Sequence, residues 1–97
     1  MKLLCLDVPQ PGATPEQYAP HMEAEVRFAW DLYKQGLIRD IYFRQDRPGV
    51  AILAEADSVE AARARLMEIP LAMAGLIGWD VIPLGPMTNW EMLFAKA

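Results

Sequence analysis

Ninety-seven residues fit one domain, spanning 1–97, and a chain that short buries only a limited core. Hydrophobic residues make up 54% of it and charged ones 23%, with three Trp and six Met; the surplus apolar surface is expected in a subunit interface, a ligand cavity or both. A net charge of −4, with nine Lys and Arg scattered along the chain, argues against a nucleic-acid partner.

The opening MKLLCLDV is too short an apolar run for a signal peptide, because Asp7 and Pro9 close it. No segment is long enough to span a membrane, and a cytoplasmic protein is expected. A single Cys, Cys5, and a single His, His21, leave no internal disulfide and no structural zinc cluster. Neither a metal nor a cofactor is expected.

Lys2 to Val8 reads as a strand that is apolar on both faces and hence central. A Pro/Gly loop follows at 9–13. Thr14 then caps a helix that Pro15 opens, with Gln17 at the capping-box position. The helical pattern runs to Gln35, with Gly36 as its stop. Pro20 either kinks this helix or marks its true start. Leu37–Gln45 and Val50–Ala56 read as two strands of a hairpin, turned at Asp46-Arg47-Pro48-Gly49.

A second helix opens at Asp57-Ser58-Val59-Glu60, buries Val59, Ala62, Leu66 and Ile69, and stops at Pro70. Leu71–Gly78 is either a loop or a short helical turn. Trp79–Leu84 makes a fourth strand, and Thr88-Asn89-Trp90-Glu91 opens a short terminal helix ending near Ala97. The order is β-α-β-β-α-β, an α+β ferredoxin-like pattern with a four-stranded antiparallel sheet and two helices on one face. The other sheet face needs a cover, and two copies packed face to face would supply it as a dimeric α/β barrel.

The first helix carries an anomaly. At 100° per residue, Phe28, Leu32, Tyr18, Ala29, Met22, Tyr33, Val26 and Leu37 fall in one arc opposite Glu23, Arg27, Asp31, Lys34 and Gln35. Two further ionisable side chains interrupt the apolar arc: Glu25, between Leu32 and Tyr18, and His21, one turn earlier. A carboxylate in apolar surroundings is costly unless paired or protonated, and burial raises its pKa into the range of a general base or acid. Glu25 is therefore the candidate catalytic group, with His21 orienting it or sharing the proton. The plainer alternatives are a Glu25 that reaches out at the helix edge or pairs with an Arg, and a half-exposed His21.

Candidate substrate-binding residues come from Tyr18 and from the second strand, which carries Arg39, Tyr42 and Arg44. Alternation places Arg39, Ile41 and Phe43 on one face and Asp40, Tyr42 and Arg44 on the other, without fixing which lines the cavity. An Arg in a closed cavity suits an anionic ligand; Arg47, in the turn, reads as a surface residue. Cys5, Trp79 and Trp90 read as packing residues, with Trp90 a candidate to lie across a dimer interface.

Glu68-Ile69-Pro70-Leu71, and the run from Ala72 through Trp79-Asp80-Val81-Ile82-Pro83-Leu84, resemble the Pro-Leu ending of muconolactone isomerase-like proteins. The first half is similar too: a long helix bearing a Glu, then Gly36-Leu37-Ile38-Arg39, an aromatic strand and a turn Arg. The resemblance implies a dimeric α/β barrel, often assembled into larger rings. It also implies proton movement within an unsaturated lactone carboxylate without metal or cofactor. By the same resemblance Glu25 would shuttle the proton and Arg39 would favour the substrate's negative charge. Ala72–Gly78 is longer and more aliphatic than its counterpart there, so the pocket wall should differ. A weaker likeness, to the YCII-related group, rests on the single His.

The expected function is cofactor-free isomerase-like proton transfer on a small cyclic substrate expected to be anionic, with His21 or Tyr42 assisting Glu25. The expected partners are that small molecule and a second copy of the chain or a higher homo-oligomer, with no nucleic acid and no membrane. The competing readings are a non-catalytic dimeric small-molecule-binding protein and a cofactor-independent oxygenase or cyclase acting on an aromatic substrate.

Overall fold

The computed structural model describes residues 1–95. Its elements run β1 (Lys2–Pro9), α1 (Pro15–Tyr18), a 3₁₀ turn (Ala19–His21), α2 (Met22–Lys34), β2 (Ile38–Phe43) and β3 (Val50–Glu55). They continue with α3 (Val59–Leu66), α4 (Pro70–Met73), β4 (Ile77–Leu84) and a 3₁₀ segment (Thr88–Leu93). The four strands form one open antiparallel sheet in the order β2-β3-β1-β4. This is the expected ferredoxin-like α+β arrangement with β1 at its centre.

Local sequence explains most boundaries. Thr14 and Gln17 make the expected capping box, with the Thr14 amide donating to Gln17 Oε1 at 2.8 Å. Pro20 cannot donate in a helical ladder, and the long first helix breaks there into α1, a 3₁₀ turn and α2. Ser58 caps α3, its hydroxyl accepting from the Ala61 amide at 3.0 Å. Pro70 does not merely stop α3. It occupies the first position of α4, so the ambiguous segment after it begins as one helical turn. The terminal helix is a 3₁₀ segment, and its expected end near Ala97 lies outside the described residues.

The core lies between the helices and one sheet face. Leu3, Cys5, Ile52, Ala54, Ile77, Trp79 and Val81 project from the strands and meet Leu32, Ala62, Leu66, Ile69, Leu71 and Ala72. Trp79 is a packing residue, and its indole N–H donates at 3.0 Å to the Leu66 carbonyl at the end of α3, which also accepts from the Ile69 amide at 3.2 Å. Cys5 is fully buried, and desolvation pushes its thiol up to about 11, which removes it as a nucleophile. Leu32 is the α2 side chain with no exposure at all. Leu32→Ala is expected to cost about 2–5 kcal/mol, read from urea or thermal unfolding.

The apolar arc of α2 is wider than its buried face. Phe28 and Ala29 pack on the core, whereas Met22, Val26 and Tyr33 are exposed. Trp30, also exposed, stacks on Tyr33 with centroids 5.4 Å apart. The second sheet face carries Leu4, Leu6, Ala51, Leu53, Tyr42, Ile82 and Leu84, by strand alternation and register. After β4 the chain presents Met87, Trp90, Met92, Leu93 and Phe94 largely to solvent. No helix among the described residues is long and apolar enough to cross a membrane.

Candidate active site

Glu25 lies on the sheet-facing side of α2, one turn before Ala29 and two before Leu32. Its Oε1 accepts from the Leu71 backbone amide at 2.9 Å, at the start of α4. Pro70 sets that geometry, since it opens the helical turn and leaves the next amide without a partner inside α4. Oε2 has no hydrogen-bond partner among the described residues. Glu25 is half-buried, and desolvation pushes its carboxyl above the ordinary carboxylate value. The Leu71 amide and the positive charge of His21 pull the other way, and the Asp7 carboxylate adds to the rise.

Of the plainer alternatives for Glu25, neither describes the geometry: its partner is a backbone amide on a neighbouring element. His21 is half-buried at the entry to α2 and lies within electrostatic reach of Glu25. Tyr18 packs against the core from α1, its hydroxyl 3.5 Å from the Leu76 carbonyl. Burial and Asp7 push its phenol up, against the pull of Arg47. Glu25, His21 and Tyr18 therefore gather on the helix side of the sheet.

The second-strand candidates stand apart from them. Tyr42 pairs with Ala51 and occupies the opposite, open sheet face. The β2–β3 register shifts between Ile38 and Asp40, so strict alternation fails at Arg39, which is exposed on the sheet edge. Arg44 is held by Asp46, Nε donating to Oδ1 at 2.9 Å, and this pair holds the Asp46 carboxyl down at about 2.

Two residues that the sequence pattern passed over join the helix-side group. Asp7 continues the inward alternation of Leu3 and Cys5 and is 7% exposed, the buried charged residue among those described. Its Oδ1 accepts from the Val50 amide at 3.1 Å and lies 3.5 Å from Arg47 Nη1. Arg47 Nη2 donates at 2.6 Å to the Asp7 carbonyl, and Nη1 at 2.8 Å to the Pro48 carbonyl. Arg47 is thus half-buried against β1 rather than a free surface side chain. The signal for Asp7 was its period-two spacing from Leu3; the strand-closing role it also plays concealed it. The 40-residue separation of Asp7 and Arg47 left no local signal for their pairing. Two open grooves, along Gln35–Leu37 with Glu55–Asp57 and along Glu23–Arg27 with Trp30, lie away from this group.

No protein-family model and no curated protein sequence matches the chain. Solved structures do. The chain superposes on 5-chloro-2-hydroxyhydroquinone dehydrochlorinase from Burkholderia phenoliruptrix AC1100, in complex with 2,5-dihydroxybenzoquinone, with a TM-score of 0.72. Identity is 17%, over 92% of this chain and 98% of that one. Muconolactone isomerase superposes with a TM-score of 0.70 and 20% identity, over 89% of this chain and 90% of that one. The chain therefore has the ferredoxin-like α+β fold of muconolactone isomerase, which the dehydrochlorinase shares.

Proposed function

We propose that the protein is a small-molecule isomerase or lyase that moves a proton on a cyclic substrate, with Glu25 as the general base. The observation that carries this is the half-buried Glu25 carboxylate, with one oxygen fixed by the Leu71 amide and the other unclaimed. A base needs a lone pair aimed at the substrate and a pKa near the working pH. The fixed Oε1 restricts the rotation of the carboxyl, and desolvation moves its pKa upward, in the direction a base needs. In the step proposed, Oε2 takes a proton from a carbon next to a carbonyl, leaving an enolate. The same carboxylic acid returns the proton at the conjugated position in an isomerisation, or a leaving group departs in an elimination. His21, within electrostatic reach of Glu25, is the group proposed to assist.

The likeness to an isomerase and to a dehydrochlorinase, enzymes that act on small molecules, supports an isomerase or lyase class. We propose further that two copies associate through the open sheet face, where Leu4, Leu6, Leu53 and Ile82 would be removed from water; the apolar tail from Met87 to Phe94 adds to the surface available for assembly.

The test is solvent deuterium incorporation, followed by NMR, into a panel of unsaturated lactones and hydroxylated quinones. The wild-type protein is expected to exchange ring protons of at least one member. Absence of exchange across the panel, or exchange undiminished in Glu25→Gln, overturns the reading.

A further inference from the structure

We propose that the tail is exchanged between copies: Met87, Trp90 and Leu93 of one chain seat on the helix-side end of β2, at Ile41 and Phe43, of a second copy. The exchange rests on the sheet-face association proposed above and adds the segment that each copy lends the other.

The tail carries an apolar ridge with little of its own chain beneath it. Side chains three apart eclipse in a 3₁₀ helix, so Met87, Trp90 and Leu93 stand in one row. Each is at least 60% exposed. Among the described residues none of the three joins the core. The Trp90 and Phe94 amides donate within the segment, to the Met87 and Glu91 carbonyls. The radius of gyration is 16.2 Å and the long dimension 61 Å, against 28 and 20 Å for the other two. A compact domain of this length has a radius of gyration of about 12–13 Å, and the elongation fits a tail that stands off the sheet.

The seat is the far end of the edge strand β2. Ile38 is buried, but Ile41 and Phe43, on the same helix-side face, are 45% and 80% exposed. An exposed Phe beside a half-exposed Ile on an edge strand is apolar surface in want of a cover.

Topology sets the tail and the seat at diagonal corners of one sheet. The order β2-β3-β1-β4 puts their strands on opposite edges. Along the strands, Leu84 is level with Lys2 and Glu55, whereas Phe43 is level with Val50, next to the Ala51 that pairs with Leu6. Three strand spacings and about five residues put roughly 20–25 Å between the corners. The straight path crosses the helix layer, so the tail is badly placed for the seat on its own chain. A two-fold axis along the other diagonal exchanges the two corners. It stacks the open sheet faces with their strands nearly perpendicular, one of the two recurrent ways in which sheets pack. Each tail then starts beside the seat of the other copy. The stretch from Leu84 to Met87 spans up to about 10 Å, and the 3₁₀ segment adds about 12 Å. Together they cover the sheet-to-sheet spacing of about 10 Å and carry the ridge round the edge strand to its helix side.

The experiment measures the dimer dissociation constant of the full chain by analytical ultracentrifugation. The wild-type protein is expected to dimerise. Trp90→Asp and Phe43→Asp should each raise the dissociation constant about 30-fold or more, since buried aromatic anchors carry much of an interface's energy. Both side chains are exposed in the single chain, so circular dichroism should show both variants folded. Trp30→Asp, at an exposed position on α2, should stay within about threefold of the wild type. In an equimolar mixture of Phe43→Cys and Leu93→Cys chains, a short bis-maleimide should join one chain of each kind. A wild-type monomer overturns the exchange and the sheet-face association together. A dimer that Ile82→Asp, on the open face, breaks while Trp90→Asp leaves it intact overturns the exchange alone. So does the absence of the mixed cross-link, or an effect of Trp30→Asp as large as that of Phe43→Asp.

Discussion

Glu25→Gln is expected to lower turnover by about 10²- to 10⁴-fold, the range a positioned general base contributes, while the fold survives. The reason is the division of labour between the two oxygens. Glutamine keeps a carbonyl oxygen that can accept from the Leu71 amide in place of Oε1, so α2 stays tied to α4. What it loses is the second oxygen with a basic lone pair. Stability also has a defined sign. A carboxyl whose pKa is raised in the folded state favours folding while protonated and forfeits that contribution as pH rises through its folded pKa. Once ionised, Glu25 helps the fold less than its protonated form does. The melting temperature of Glu25→Gln should match or slightly exceed that of the wild type. Activity of the wild type should rise with pH along a limb whose midpoint lies above the ordinary carboxylate value, because the base must be ionised. Glu25→Ala, by contrast, should lose both activity and stability, since the Leu71 amide then loses its acceptor. Thermal unfolding beside a pH–rate profile separates these outcomes.

Glu25 was legible because helical periodicity is local: eight apolar positions define the arc, and a charge within it stands out. The element order was legible for the same reason, since caps, prolines and the Asp46–Gly49 turn announce themselves within a few residues. Three features were not. The outer half of the arc, Met22, Val26 and Tyr33, is apolar but exposed, because a single layer of sheet covers only part of a helix. Alternation along β2 holds from Asp40 to Phe43 but fails at Arg39, because the register shift there depends on how β3 pairs and not on the strand itself. Asp7 and Arg47 were read separately, as a strand end and a turn residue. Only the sheet, by laying β3 along β1, brings the turn back over Asp7. The tertiary partners of a charged residue are what periodicity does not encode.

Gly49→Ala is expected to destabilise the protein by about 2–3 kcal/mol, lowering the melting temperature by roughly 10–20 °C, and to reduce activity along with it. Two costs combine at this position. Gly49 has φ +147°, a conformation that a side chain rarely adopts. A Cβ there would also stand 2.6 Å from Asp7 Oδ1 and 2.5 Å from Arg47 Nη1. The guanidinium can swing aside, but Oδ1 is fixed by the Val50 amide, so relief comes by breaking that hydrogen bond. Gly36 supplies the control. It has φ +86°, and a Cβ there would meet nothing within 4 Å, so Gly36→Ala carries the backbone cost without the contact. Gly49→Ala should therefore exceed Gly36→Ala by about 1 kcal/mol or more in urea unfolding. Part of that excess should vanish in an Arg47→Ala background, where one of the two colliding groups is gone. Equal losses at the two glycines would mean that the turn tolerates displacement of Asp7.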